Sequence, residues 1–345
     1  MVQFSAFPAY FMFPLPVHLR RTLFAALAVT LLSCLGACKP KPEASSAPQP
    51  AKAPAGPIRS VGLTVGDLAN PFFVQIANGA ESKVRELGGP DVKFTAVSSG
   101  YDLNRQANQI DDFIAAGTDL LLLNAADSQG IAPAVRKARK AGMTVIAIDV
   151  VAEGGVDGTV MSDNVQAGRI AAEYLVRRLN GTGSVVIING PPVSAVTDRV
   201  AGAVEAFTAA PGITLLSRDQ NAFGNRDGGL AVMNDLLVAN PRIDAVFAVN
   251  DPTGLGAALA VRQSRRSGIV IASVDGAPDV EAALADPSNA LVASAAQDPF
   301  LMAARAAEFG FQIRAGASPA DRLIRIPVAL VTRDNLSSYR GWTAK

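Results

Sequence analysis

Short apolar runs that each stop at an asparagine, an aspartate or a glutamine constrain this chain more than any other feature. Residues 243–276 show the pattern once. The run 245–249 ends at Asn250-Asp251, the run 269–274 ends at Asp275-Gly276, and residues 254–264 between them carry apolar side chains at helical spacing. Strand, helix, strand is the simplest reading, because parallel strands covered on both faces read as unbroken apolar runs. Ligands of open parallel sheets sit beyond the carboxyl ends of the strands, which is where Asn250 and Asp275 fall.

The same unit recurs along the chain. Strands are expected over 61–65, 92–97, 120–123, 144–148 and, briefly, 159–161. A second series follows over 184–188, 213–217, 245–249, 269–274 and 290–295, with 324–331 extended. Helical spacing fills the intervals, over 71–87, 103–116, 131–141, 165–179, 195–210, 227–238, 254–264, 279–285 and 300–313. Asn70 suits an N-cap and Pro71 the first helical turn. The order restarts at Ser162-Asp163-Asn164, so the chain reads as two similar halves. The expected fold class is α/β, with two doubly wound parallel-sheet lobes and a ligand cleft between them. The tail carries Trp342, the only tryptophan, for which a surface packing role is expected.

The N-terminus reads differently. Arg20-Arg21 precede an apolar run at 23–32 and then Leu35-Gly36-Ala37-Cys38. A basic flank, an apolar core and small residues before a cut are the parts of an export signal. The core is shorter than the ~20 residues a spanning helix needs. The residues before Cys38 resemble the lipobox of bacterial lipoproteins, in which the cysteine becomes the first mature residue and carries the lipid. Cys34, after Leu31-Leu32-Ser33, is the second candidate. Residues 1–11 lack basic side chains, and translation from Met12 would give a more ordinary signal. Residues 1–37 are therefore expected to be a lipoprotein signal peptide, and 38–57, rich in Pro and Ala, a tether holding the domain off a membrane.

Removing 1–37 takes away His18, Cys34 and two of the 31 basic residues, but none of the 30 acidic ones. The mature chain would be close to neutral, without histidine and with one cysteine. That excludes a disulfide framework, a zinc site of Cys or His ligands, and any triad with a histidine base. No cofactor or metal is expected, and the near-neutral charge gives no reason to expect a nucleic-acid partner.

The strand ends collect Asn70, Asn124, Asp149, Asn250, Asp275 and Gln297, with Phe72 and Phe73 beside the first. Amides offer donors and acceptors to hydroxyl groups, and carboxylates add acceptors. Aromatic faces suit the C–H faces of sugar rings. Taken singly, an Asn or Asp after a strand is more often a cap or turn residue; the set points to a site.

Asn70-Pro71-Phe72-Phe73, Leu122-Leu123-Asn124 with Asp127-Ser128, Ile148-Asp149, Ser162-Asp163-Asn164, Phe247-Ala248-Val249-Asn250-Asp251, Val274-Asp275-Gly276 and Gln297 occur at telling spacing. In them the chain resembles the periplasmic sugar-binding proteins of ribose-binding type, the type I periplasmic binding proteins, over about residues 58–335. The ligand-binding part of lac-repressor-type regulators is related. The resemblance implies ligand contacts at Asn70, Phe72, Phe73, Asn124 and Asp149 in the first lobe. In the second they fall on Arg199, Asn250, Asp275 and Gln297. Arg199 rests on the match of Arg199-Val200-Ala201-Gly202 alone; by itself it reads as a solvated helix residue. Two positions depart from the pattern. Val150 stands where the ribose binders carry an arginine, replacing a multi-donor guanidinium by an apolar side chain. Gly224 falls where the family stacks an aromatic on the ligand, with Phe223 one residue away as the substitute candidate. The resemblance also implies three lobe crossings, near Ser162/Asp163, Gln297/Asp298 and Ala329/Leu330. The N-terminal lobe would be 58–162 plus 298–329, and the C-terminal lobe 163–297 plus 330–345.

The implied function is that of a substrate-binding lipoprotein of an ATP-driven importer, not an enzyme. It would bind a neutral monosaccharide or polyol by hinge closure and deliver it to an ABC-type permease. It would act as a monomer in the periplasm or cell envelope, lipid-anchored to a membrane. An envelope sensor subunit, presenting the same ligand class to a receptor kinase or chemoreceptor, would share the pocket. A Rossmann-type enzyme needs G-x-G-x-x-G after its first strand, where this chain has Asn70-Pro71-Phe72-Phe73. A lac-repressor-type regulator needs a helix-turn-helix where this chain has its signal and tether. Asp275→Ala or Arg199→Ala is expected to abolish binding with the fold intact.

Overall fold

The computed structural model describes residues 56–342; the signal peptide, Cys38 and nearly all of the 38–57 tether lie outside the described residues. In chain order the strands are β1 (Ser60–Val65), β2 (Lys93–Ser98), β3 (Leu120–Leu123), β4 (Thr144–Ile148), β5 (Gly158–Ser162), β6 (Thr182–Asn189), β7 (Gly212–Asn221), β8 (Ala245–Ala248), β9 (Val270–Asp275), β10 (Leu291–Ala296), β11 (Leu323–Ile326) and β12 (Ala329–Thr332). The helices are α1 (Pro71–Gly88), α2 (Leu103–Ala115), α3 (Ala132–Lys140), α4 (Asn164–Arg178), α5 (Ser194–Thr208), α6 (Arg226–Ala239), α7 (Asp251–Gln263), α8 (Pro278–Ala285) and α9 (Pro299–Arg314).

The strands form two six-stranded sheets, β11-β5-β4-β3-β1-β2 and β12-β10-β9-β8-β6-β7. The first is parallel throughout. The second is parallel except at β12, which runs against β10. The two doubly wound lobes expected from the sequence are present. Central strands such as β3, all leucine, and β8, Ala-Val-Phe-Ala, are buried at every position. Helices on both faces remove each side chain from water, at about 1.5–3 kcal/mol for a large apolar one.

Three links join the lobes. The first follows β5, where the Asp163 carboxylate accepts from the Gln166 amide at 2.9 Å and starts α4. The second follows β10, where Asp298 accepts from Leu301 at 2.8 Å and starts α9. Each cap contributes about 1 kcal/mol and fixes where its link turns. The third is shorter and earlier than expected. Residues 324–331 are not one extended piece: β11 pairs with β5 up to Ile326, and β12 pairs with β10 from Ala329. Pro327, which lacks an N–H for a ladder, marks the switch, so the crossing is 327–328 rather than Ala329/Leu330.

Helices α4 and α5 touch backbone to backbone. A Cβ on Gly168 would lie 1.9 Å from the Arg199 carbonyl oxygen, and one on Gly202 would lie 2.1 Å from that of Val165. Only glycine permits this approach, and it sets the depth of Arg199.

The tail departs from expectation. Trp342 is buried, not a surface residue. Its ring meets Phe72 edge-on at 5.9 Å, and its indole N–H donates to the Gln297 carbonyl at 3.1 Å. It packs in the core of the first lobe, although the sequence assigned the tail to the second. Tyr339, just before it, donates to the Gly276 carbonyl at 2.7 Å in the second lobe.

Candidate functional site

Strand ends from both sheets meet at one chamber. The first lobe contributes Asn70, Phe72 and Phe73 at the start of α1, Asn124 after β3, and Asp149 and Val150 after β4. The second contributes Arg199 from α5, Asn250 after β8 and Asp275 at the end of β9. The chamber measures about 40 Å³ and adjoins a cavity of about 740 Å³ at the cleft mouth. Asn70, Tyr101, Pro191 and Gly224 border both.

Two expected residues stand elsewhere. Gln297 is behind the chamber wall, where its Nε2 donates to Asp275 Oδ1 at 2.8 Å; it positions the carboxylate. Phe223 faces the outer cavity and is 63% exposed. The reason is the backbone: Phe223 and Gly224 have φ of 55° and 66°, and this left-handed pair turns the phenyl outward.

The asparagines do two things at once. Asn70 Oδ1 accepts from the Phe72 amide at 3.0 Å and Asn250 Oδ1 from the Thr253 amide at 3.0 Å, so both cap helices while bordering the chamber. Asn250 Nδ2 donates to the Gly224 carbonyl at 2.9 Å. Asn124 Nδ2 donates to Asp149 Oδ2 at 3.1 Å, leaving Asp149 Oδ1 buried without a partner. Gln297 Oε1, on the side chain that holds Asp275, is also buried without one. Both are acceptors.

Arg199, 5% exposed, is far from a solvated helix residue. Its Nε donates to Asn164 Oδ1 at 2.9 Å and its Nη1 to the Val249 carbonyl at 2.9 Å. Asp275 Oδ1 stands 3.5 Å from the same Nη1, a distance at which hydrogen bonding is weak. Burial therefore prevails, and the Asp275 carboxyl is held well above the usual range despite Arg199, with Asp251 adding to the rise. Asp149 is pushed up to about 6 by burial, against the opposing pull of Arg199 and the Asn124 hydrogen bond. Asp251, next to Asp275, is also pushed up to about 6 by burial. It accepts from Ser273, Ser294 and the Ala277 amide.

Strain concentrates here. Asp149 has φ 68° and Asp275 φ 138°, while Tyr101 (59°) and Phe223 (55°) border the cavities. Such conformations cost about 1–3 kcal/mol each and persist where their surroundings over-determine them, typically at ligand sites.

Residues the sequence reading left out complete the picture. Tyr101 packs on Phe73 with ring centres 6.1 Å apart. Burial and the charges of Asp149, Asp275 and Asp67 keep its hydroxyl firmly protonated. Its signal was Gly100-Tyr101 after β2, the strand whose end carries serines rather than amides. Asn164, seen only as part of a motif, orients Arg199. Ser194 links the lobes: its Oγ accepts from the Val151 amide at 2.7 Å, and its own amide donates to Ser128 Oγ at 3.0 Å. The partners lie 43 and 66 residues away, and no local pattern announces them.

Known proteins share this architecture. A family model described as a periplasmic binding protein domain matches residues 61–318. The ribose import binding protein of Bacillus subtilis strain 168 is 34% identical over 275 residues, covering 79% of this chain and 87% of the relative. The D-ribose/D-allose-binding protein of Pseudomonas aeruginosa is 33% identical, covering 79% and 88%. Among solved structures, an ABC transporter solute binding protein from Mycobacterium smegmatis with bound glycerol aligns with a TM-score of 0.76. It is 26% identical, and the alignment covers 84% of this chain and 99% of that one.

Proposed function

This chain belongs to the periplasmic binding protein family, and from that premise we propose that it is the substrate-binding subunit of an ATP-driven importer for a neutral monosaccharide or polyol. One observation carries the ligand class. Arg199 is engaged with Asn164 and Val249, Asn124 with Asp149 and Asn250 with Gly224, and Asp149 Oδ1 is buried and unspent. A buried acceptor without a partner costs about 1–3 kcal/mol. A hydroxyl group donating to it removes that cost; a carboxylate or phosphate on the ligand would add to it. Phe72 and Phe73, edge to face at 5.4 Å, offer the apolar wall a sugar ring needs. Names of relatives agree, being ribose and D-ribose/D-allose binders, while Val150 and Gly224 depart from the ribose pattern.

The mechanism follows from the lobes. A chamber of about 40 Å³ holds only a few waters, so a ring enters by separation of the lobes and is enclosed when they close. Ser194 joins the closed faces through Ser128 and Val151. Closure engages the strand ends of both sheets at once, which is what makes the closed form the one a ligand favours. Delivery to a permease and action as a monomer are parts of the same proposal. So is a lipid anchor at Cys38, which mass determination of the mature N-terminus tests: an unmodified cysteine would discard it. The ligand class is tested by a thermal-shift screen of pentoses, hexoses and polyols. At a hundred times its Kd, a ligand adds about 2.7 kcal/mol of apparent stability. If no neutral polyol raises the melting temperature and an anionic metabolite does, the reading fails.

A further inference from the structure

Building on that reading, we propose that the cleft mouth is a second subsite, which takes a substituent on the bound sugar, so that the favoured ligand is a glycoside or short oligosaccharide rather than a free monosaccharide. The outer cavity, about 740 Å³, is within the range of pockets that enclose whole drug-sized molecules, about 300–1,000 Å³. It exceeds what one ring needs.

The two spaces share a border made by Asn70, Tyr101, Pro191 and Gly224, of which Gly224 has the smallest side chain. This residue borders both cavities, and a Cβ there would already be 3.4 Å from Asn250 Nδ2 and 3.5 Å from Pro191 Cδ. Any larger side chain would stand in the junction. With only a hydrogen there, the border between chamber and mouth is least obstructed at this position. The position is held rigidly, because the Gly224 carbonyl accepts from Asn250 Nδ2. Phe223, next in the chain, has its amide fixed by Asn221 Oδ1 at 2.8 Å, and its exposed ring forms part of the outer wall. Pro252 and Leu255 continue that wall. An aromatic ring beside prolines and a leucine suits the apolar face of a second sugar or an aglycone. Arg226 and Asp279, paired at 3.0 Å, form a polar rim for its hydroxyl groups.

The test compares matched probes by calorimetry: D-ribose, D-xylose, D-glucose and D-galactose, each with its methyl and p-nitrophenyl glycosides. For the sugar that binds, the p-nitrophenyl glycoside is expected to bind at least tenfold tighter than the free sugar. The ratio should fall to about one in Phe223→Ala. It should fall also in Gly224→Asn, which keeps a residue type that tolerates left-handed backbone but obstructs that border. Free sugar binding with the glycosides excluded, or no tighter, overturns the outer subsite and leaves the sugar-binding reading standing. Failure of every probe, free or substituted, overturns the outer subsite, and the sugar-binding reading is then decided by the thermal-shift screen.

Discussion

Arg199→Met is expected to lower the stability of the free protein by about 2–6 kcal/mol, because two buried acceptors lose their hydrogen-bond partner at about 1–3 kcal/mol each. It would also weaken ligand binding more than a hundredfold. Loss of Arg199 leaves the Asn164 side-chain oxygen and the Val249 carbonyl unpaired and Asp275 without the cation that stands 3.5 Å away. Asp275→Asn is expected to change stability by less than about 1 kcal/mol, because a neutral amide suits a site where burial already opposes the charge. It should abolish binding all the same. Urea denaturation of both single variants and of the double variant makes the check. Asp275→Asn in the Arg199→Met background should recover at least about 1 kcal/mol, the coupling expected of groups in contact. Strict additivity would mean that the two do not communicate.

Ligand affinity is expected to fall by about tenfold between pH 7.5 and pH 5, while the free protein becomes more stable over the same interval. The sign follows from Asp149. Its carboxyl is raised from 3.8 in the ordinary state to about 6 in the native one. Below about pH 4 both states are protonated and this group favours the fold fully. As pH rises from about 4 to 6 the unfolded chain releases the proton while the native chain keeps it, and stability falls, by about 3 kcal/mol in all. Above about 6 the native group is charged and the loss is complete. A hydroxyl donating to Asp149 Oδ1 stabilises the charged form, so binding expels a proton below pH 6 and weakens as pH drops. Calorimetry in buffers of different ionisation enthalpy counts that proton, and Asp149→Asn should flatten the profile. An affinity that is constant from pH 5 to 7.5 would show that no ligand hydroxyl reaches this carboxylate.

The fold was legible because its signal is repetitive. Four-residue runs such as Leu120–Leu123 and Ala245–Ala248 leave little choice but buried parallel strands. Asn70, Asn124, Asp149, Asn250 and Asp275 were legible for a related reason: strand ends in parallel sheets point the same way, so residues alike in local position become neighbours in space. Arg199 came only through resemblance, since nothing in its own helix reveals that Gly168 and Gly202 draw α4 and α5 into contact. Tyr101 and Asp251 were missed because each reads locally as a turn or a helix start. The outward turn of Phe223 depends on two consecutive positive φ values, which no side-chain pattern encodes. The split of 324–331 between sheets shows the same limit, because pairing partners far along the chain decide it.

Trp342 is the sole tryptophan in the chain, and its surroundings make it more than a packing element. The indole lies against Phe72 of the chamber wall and is bonded to the backbone of Gln297, where the chain passes from one lobe to the other. Opening or filling the cleft is expected to alter both neighbours together. Emission excited selectively at this one indole, apart from the four tyrosines, is therefore expected to give a label-free optical readout of closure in real time.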